Sequence, residues 1–185
     1  SGTTRAASLG KAKGLAYRAI ERARGFCKMR GNPYVELVHL VHQLLQPPDP
    51  DLHRILKQSN VNPSQLSKDL IEALDKLQRG SSSISDLSGH VEEAVERAWV
   101  YGSLLFGESQ VRTGHLVVGI LKTRGLRNGL LGISQEFARI PTDALTDRFT
   151  EFVNGSPEES MHATDGFQAG GGAAPGEASG AMAPA

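Results

Sequence analysis

Ala19-Ile20-Glu21-Arg22-Ala23 returns as Ala94-Val95-Glu96-Arg97-Ala98, and this return decides the fold. Downstream, His39-Leu40-Val41 followed by Leu44-Leu45 comes back as His115-Leu116-Val117 followed by Ile120-Leu121. Further on, Val61, Leu66 and Leu70 match Ile140, Leu145 and Phe149. The offset creeps from 75 residues (Ala19 to Ala94) to 76 (His39 to His115) to 79 (Val61 to Ile140), as it does when only loops change length. A helical unit written twice, with no nucleotide loop and no nucleophile signature, points to a recognition module rather than a catalytic centre.

Helical periodicity runs through both copies. Leu15, Ala16, Ala19, Ile20, Ala23, Phe26 and Cys27 recur in steps of three and four and define one apolar stripe, with Arg18, Arg22 and Lys28 mostly off it. Gly31-Asn32-Pro33 breaks the chain before a second helix carrying Leu37, Val38, Val41, Leu44 and Leu45. Pro47-Pro48-Asp49-Pro50 stops that helix, since proline lacks the donor and restricts the residue before it. A short third helix holds Leu52, Ile55 and Leu56. Asn62-Pro63 reads as an N-cap with proline at the first helical position, opening a fourth with Leu66, Leu70, Leu74 and Leu77.

After the polar connector Gly80-Ser81-Ser82-Ser83 the plan repeats. The next helix bears Val91, Ala94, Val95, Ala98, Trp99, Gly102, Leu105 and Phe106, and Thr113 is expected to cap the one after it. A short helix around Leu126, Leu130 and Leu131 follows, and the last starts near Pro141 with Leu145, Phe149 and Phe152. No stretch alternates over strand length. The fold class is therefore all-α: pseudo-twofold duplicated four-helix units, eight principal helices, repeat one about 14–79 and repeat two about 88–153.

At 185 residues, 39% hydrophobic and 22% charged, the chain reads as globular and soluble, and no segment approaches the ~20 apolar residues of a membrane span. No signal peptide is visible, and Ser1-Gly2 is read as a tag remnant, residues 1–4 being set aside. The single Cys27 fits a reducing compartment and, on an apolar face, a small core residue rather than a reactive thiol. The net charge of zero is uneven: Arg5, Lys11, Lys13, Arg18, Arg22, Arg24, Lys28 and Arg30 stand against Glu21 alone in the first 31 residues. After Asn154-Gly155-Ser156-Pro157 the composition changes, and from Gly166 to Ala185 it is Gly, Ala, Pro and Ser with almost nothing apolar of any size, so the stretch 156–185 is expected not to offset its ordering entropy by burial. It reads as a flexible linker toward a further domain, leaving 5–155 as the folded unit.

The passages Ala16-Tyr17-Arg18-Ala19-Ile20-Glu21, Gly31-Asn32-Pro33-Tyr34-Val35-Glu36-Leu37 and Val91-Glu92-Glu93-Ala94 through Trp99-Val100-Tyr101-Gly102-Ser103-Leu104-Leu105-Phe106-Gly107-Glu108 carry a family resemblance. Together they resemble the N-terminal domain of Clp-type AAA+ unfoldases over roughly residues 13 to 153, closest to the ClpV branch of bacterial type VI secretion. The resemblance implies a substrate reader that takes an amphipathic N-terminal helix of the contracted sheath's larger subunit (VipB, or TssC), so that the sheath is disassembled and recycled. It also implies a bacterial cytoplasmic setting, a hexameric parent and ATP with magnesium in ATPase domains beyond the linker. This chain has no G-x-x-x-x-G-K-[ST]; Gly10-Lys11-Ala12-Lys13-Gly14 lacks the spacing. No cofactor, metal or chemistry of its own is expected here, and the isolated domain is expected to be a monomer.

ClpV domains carry one helix ahead of the core that completes an apolar groove, and about Arg5 to Lys13 stands in its place here. The peptide-binding residues expected on this basis are Leu9, Ala12, Leu15, Ala16 and Ala19, with Ile84, Leu87 and Val91 on the rim. Small residues on the first core helix leave room for a foreign helix to approach with i, i+3/i+4 anchors. A charged residue at Leu9 or Ala16 is expected to remove binding and leave melting nearly unchanged. Two other readings remain: a general substrate or adaptor docking domain of another Clp branch, and a basic helical module for nucleic acid.

Sharper chemistry has duller competitors. Glu36, His39 and His42 fall at i, i+3 and i+6, but Val118 stands where a second His42 would be, so a histidine that caps or satisfies backbone at the helix start is the better reading. Glu92-Glu93-x-x-Glu96 reads as a solvated face, Trp99 as core and Tyr101 as exposed. His53, His90 and His162 have no partner visible in the sequence.

Overall fold

The computed structural model describes residues 14–84, 86–106 and 111–159. Helix α1 (Leu15–Arg30) buries Leu15, Ala16, Ala19, Ile20, Ala23 and Cys27 and ends where Gly31 adopts φ 71°, its N–H donating to the Lys28 carbonyl at 3.0 Å. Glycine takes that left-handed conformation without a Cβ penalty, and Lys28 and Arg30 in the last turn suit the negative end of the helix dipole. Then come strand β1 (Tyr34–Val35), α2 (Leu37–Leu44), α3 (Asp51–Gln58) and α4 (Pro63–Asp75). The Asn62 side chain accepts from the Gln65 N–H at 3.1 Å, the cap expected from Asn62-Pro63.

The second repeat opens with β2 (Asp86–Leu87) and continues through α5 (Gly89–Phe106), α6 (Thr113–Leu121), α7 (Arg124–Ile133), a 3₁₀ turn over Gln135–Arg139, α8 (Thr142–Asp147) and α9 (Phe149–Phe152). Two features depart from eight helices in two fours. The last helix of the second repeat is split, because Arg148 at φ −125°, ψ 42° leaves the helical region, so the described residues hold nine α-helices. A two-residue parallel bridge also ties the repeats, Tyr34 to Asp86 and Val35 to Leu87, extended by Ser88 N–H donating to the Val35 carbonyl at 2.9 Å. Two residues are too few for alternation to register in a sequence.

Helix α1 packs chiefly on α2, and α5 on α6, repeating one helix pair in each half. One core joins them, with Ile20, Leu40, Leu44, Ile55, Leu116, Ile120, Leu126, Phe137 and Leu145 buried. Every residue of α6 is buried. Gly119 makes this possible: a Cβ there would stand 2.9 Å from the Ala98 nitrogen, so only glycine lets the two helices approach this closely. Among the described residues no helix is long and apolar enough to cross a membrane.

Candidate functional site

The repeated His-Leu-Val step is a backbone device. Glu36 N–H donates to His39 Nδ1 at 2.8 Å, and Arg112 N–H donates to His115 Nδ1 at 3.2 Å, so each histidine folds back onto the residue ahead of its helix. This satisfies a donor that the helix start leaves without an intrahelical partner. Because Nδ1 accepts, His39 carries its proton on Nε2 and donates it to Asn32 Oδ1 at 2.8 Å. Asn32 in turn donates to the Gln78 carbonyl at 2.7 Å. Burial, then the nearby Arg30 and His42 charges, lower the His39 pKa to about 4. Both ring nitrogens of His39 are engaged and His42 stacks on Phe26 at 4.3 Å, so the i, i+3, i+6 spacing serves packing.

A second polar cluster sits where the repeats meet. The Arg112 guanidinium is bidentate on Asp51, Nε to Oδ2 and Nη2 to Oδ1 at 2.8 Å each, and Gly114 N–H donates to Asp51 Oδ2 at 3.0 Å. Glu158 accepts from Asp51 N–H at 2.6 Å, from Thr113 N–H at 3.0 Å and from the Thr113 hydroxyl. Its carboxylate thus faces the starts of both α3 and α6, where free N–H groups and the helix dipole favour an anion. Burial pushes the Glu158 carboxyl up, the Asp51 charge adds to this, and the hydrogen bonds from Thr113 and the backbone oppose it. Burial works against the Arg112 charge, but the Asp51 hydrogen bonds and charge prevail and hold the guanidinium's pKa above its ordinary value.

The expected site residues fall in separate surroundings. Leu9 and Ala12 lie outside the described residues. Leu15, Ala16 and Ala19 line the first turns of α1, which meet the second repeat where Ala16 N–H donates to the Val111 carbonyl at 3.3 Å. Ala16 and Ala19 are fully buried and Leu15 is 7% exposed. Leu87 and Val91 are buried too, with Leu87 beside Val35 in the bridge, while Ile84 is partly buried against the core. The opening nearest to the predicted set is a cavity of about 70 Å³ bordered by Leu15, Arg18, Arg22, the Pro47–Pro50 turn and Glu158. A charge at Ala16 would therefore enter the core, so the expected neutrality toward melting does not hold for that position.

Other assignments are sharpened by the coordinates. Thr113 is the first residue of α6, not its cap; the preceding position is Arg112 and the Thr113 hydroxyl serves Glu158. Tyr101 is partly buried against the core with Lys122 Nζ 5.9 Å from its ring centre, and Trp99 is likewise half-buried. Cys27 is a core residue whose sulfur lies 3.2 Å from the Asn32 and Tyr34 carbonyls, and burial raises its thiol pKa. His53 has a partner, Asp49, at 3.7 Å. Sequence reasoning missed Glu158 altogether: it lies in Pro157-Glu158-Glu159, beyond the last apolar periodicity, and no local pattern marks it as buried.

The duplicated geometry has known counterparts. Residues 15–132 match the model of the Clp repeat (R) N-terminal domain. Over 181 residues the chain is 66% identical to the AAA+ ATPase ClpV1 of Pseudomonas aeruginosa, which takes in 98% of this chain and 20% of that protein. The chain spans about a fifth of the length of the curated relatives it matches. A structure from work on the coevolution of the ATPase ClpV, the TssB-TssC sheath and the accessory HsiE protein overlays with a TM-score of 0.79 at 66% identity, covering 82% of this chain and 94% of that one. A complex of a ClpV N-domain with a VipB peptide shares the fold at a TM-score of 0.70 and 22% identity, over 82% and 92% of the two chains. Two histidine-started helices at an offset of 76 residues, one core and a family match across both repeats lead to one conclusion: the chain belongs to the Clp repeat N-terminal domain family.

Proposed function

We propose that this chain is the substrate-recognition domain of a type VI secretion AAA+ unfoldase and binds an amphipathic N-terminal helix of the sheath's large subunit. The observation that carries the reading is 66% identity to ClpV1 along nearly the whole chain. The fold shared with a ClpV N-domain that binds a VipB peptide supports it. The domain performs no chemistry itself and needs no cofactor; ATP and magnesium belong to ring domains of a cytoplasmic hexamer. The proposed seat is the outer side of the first turns of α1, where Tyr17 is 37% exposed and the cavity beside Leu15 opens. Leu9 and Ala12 would supply the facing wall, and the exposed Arg18 and Arg22 would steer acidic residues of the incoming helix.

Titrating the labelled chain with the sheath subunit's N-terminal peptide tests this. Saturable binding with shifts at Leu15, Tyr17 and Ala19, lost in Leu9→Asp with melting unchanged, is the expected result. Salt-sensitive binding to generic duplex DNA, with none to the peptide, would replace the reading with nucleic-acid binding.

A further inference from the structure

A cleft of about 650 Å³ lies away from α1, wholly within the first repeat, between the end of α2, the outer edge of α3 and the start of α4. Its floor is apolar: Leu45, Leu56, Val61 and Leu66. Its rim on α3 is basic, with His53 and Lys57 one helical turn apart and both exposed. Among the described residues no acidic side chain lines it. The nearest carboxylate on that side, Asp49, is held by Arg54, whose Nε donates to Asp49 Oδ1 at 2.8 Å, and lies 3.7 Å from His53 Nδ1. On α4 the wall continues past Ser67 to Ile71, one turn further along the same face and 58% exposed.

These features are unlike the surroundings of the first turns of α1, where the alanines are covered. The cleft's volume falls within the range of about 300–1,000 Å³ usual for ligand pockets, enough to seat the anchoring side chains of a helix rather than a whole domain. Arg54, His53 and Lys57 share the single Asp49 carboxylate, so the rim keeps a surplus of basic groups, and an apolar floor beside it selects apolar anchors flanked by carboxylates. We infer that this cleft is a second docking site, taking an acidic amphipathic helix of a partner protein, with its apolar anchors on Leu56, Val61 and Leu66 and its carboxylates toward Lys57 and His53. Two sites on one small domain would let the protein hold one segment while reading another.

The full 185-residue chain, titrated with two synthetic helical peptides, decides the matter. One carries leucines at i, i+3 and i+4 flanked by glutamates; the other has lysines in place of the glutamates. The expected result is binding of the glutamate peptide alone, with amide shifts at Lys57, Val61 and Ser67. Lys57→Glu and Ser67→Trp should each weaken that binding by about tenfold, an effect of about 1.4 kcal/mol, with melting and sheath-peptide affinity unchanged. Equal binding of both peptides, shifts confined to α1, or full affinity in both variants would overturn the inference. Loss of sheath-peptide binding in Lys57→Glu would also overturn it, by showing one site rather than two, whereas failure of the sheath peptide to bind at all would count only against the proposed function.

Discussion

The second helix of each repeat begins with the same histidine and then meets different surroundings. Helix α2 keeps His42 half-exposed on Phe26, whereas α6 is buried at every position. Val38 of α2 corresponds to Gly114 of α6, where a Cβ would lie 2.6 Å from Phe149 Cζ and 2.9 Å from Asp51 Oδ2. Glu36 before α2 is half-buried, while Arg112 before α6 is sealed against Asp51 of the other repeat. Duplication supplied two similar units, and one of them became the centre of the molecule. The second copy has Gly114 where the first has Val38, so that its neighbours close over it, and Arg112 where the first has Glu36, a cation that pairs across the seam.

The sharpest way to break this comparison is at the charge. Arg112→Met should lower stability by about 3–5 kcal/mol, because it leaves the fully buried Asp51 carboxylate without its bidentate cation. Glu36→Gln, at the matching position, should fall within about 0.5 kcal/mol. Urea unfolding of both variants measures the difference, and equal losses would mean that the seam has no special cost.

Next in size is the pH dependence of the first repeat. His39 stays neutral in the fold down to about pH 4, whereas the unfolded chain takes up a proton below about 6.5. Stability from this group is therefore complete above pH 6.5 and is lost as pH falls toward 4, a change of about 3 kcal/mol at most. His39→Gln should flatten that part of the stability profile relative to the parent chain, as read from unfolding midpoints at several pH values.

Helix proximity comes third. Gly119→Ala should cost about 1–3 kcal/mol, since the added methyl meets the α5 backbone, while Gly132→Ala, with open space around it, should not destabilise. The smallest expected effect is at Glu158. Its raised pKa has the opposite sign to His39, so its contribution falls as pH rises through the range just above that of an ordinary glutamate. Glu158→Gln should remove that decline and cost about 1–2 kcal/mol near neutral pH, because one of the Asp51 and Thr113 N–H donors then faces an amide NH2 instead of an acceptor. Melting curves across pH would show whether the decline persists in the variant.

Much of the fold was legible because its signals are local or periodic. The stripes of α1 and α5, the Asn62-Pro63 start and the proline stop after α2 depend on neighbours a few residues away, and each occurs where the sequence places it. The histidines at the start of α2 and α6 were legible for another reason: repetition at the same register separated a structural role from metal-ligand spacing. The Tyr34–Asp86 bridge was not, since it is settled by a partner distant in sequence, and the split at Arg148 was not, since no glycine or proline marks it. Among the expected peptide contacts, a run of small residues on α1 reads equally well as groove floor or as close internal packing. Burial of Ala16 and Ala19 is a property of what stands opposite them.

Taken alone, the chain determined its helices, their duplication and the family they form, because apolar spacing and turn residues act within a few residues and were written down twice. Only the tertiary structure decided which copy is sealed inside, that Glu158 reaches back across more than 100 residues to Asp51, and where a basic-rimmed apolar cleft is left open. Those outcomes come from long-range packing and the desolvation of charge, which depend on three-dimensional neighbours and leave no periodic trace in a one-dimensional string.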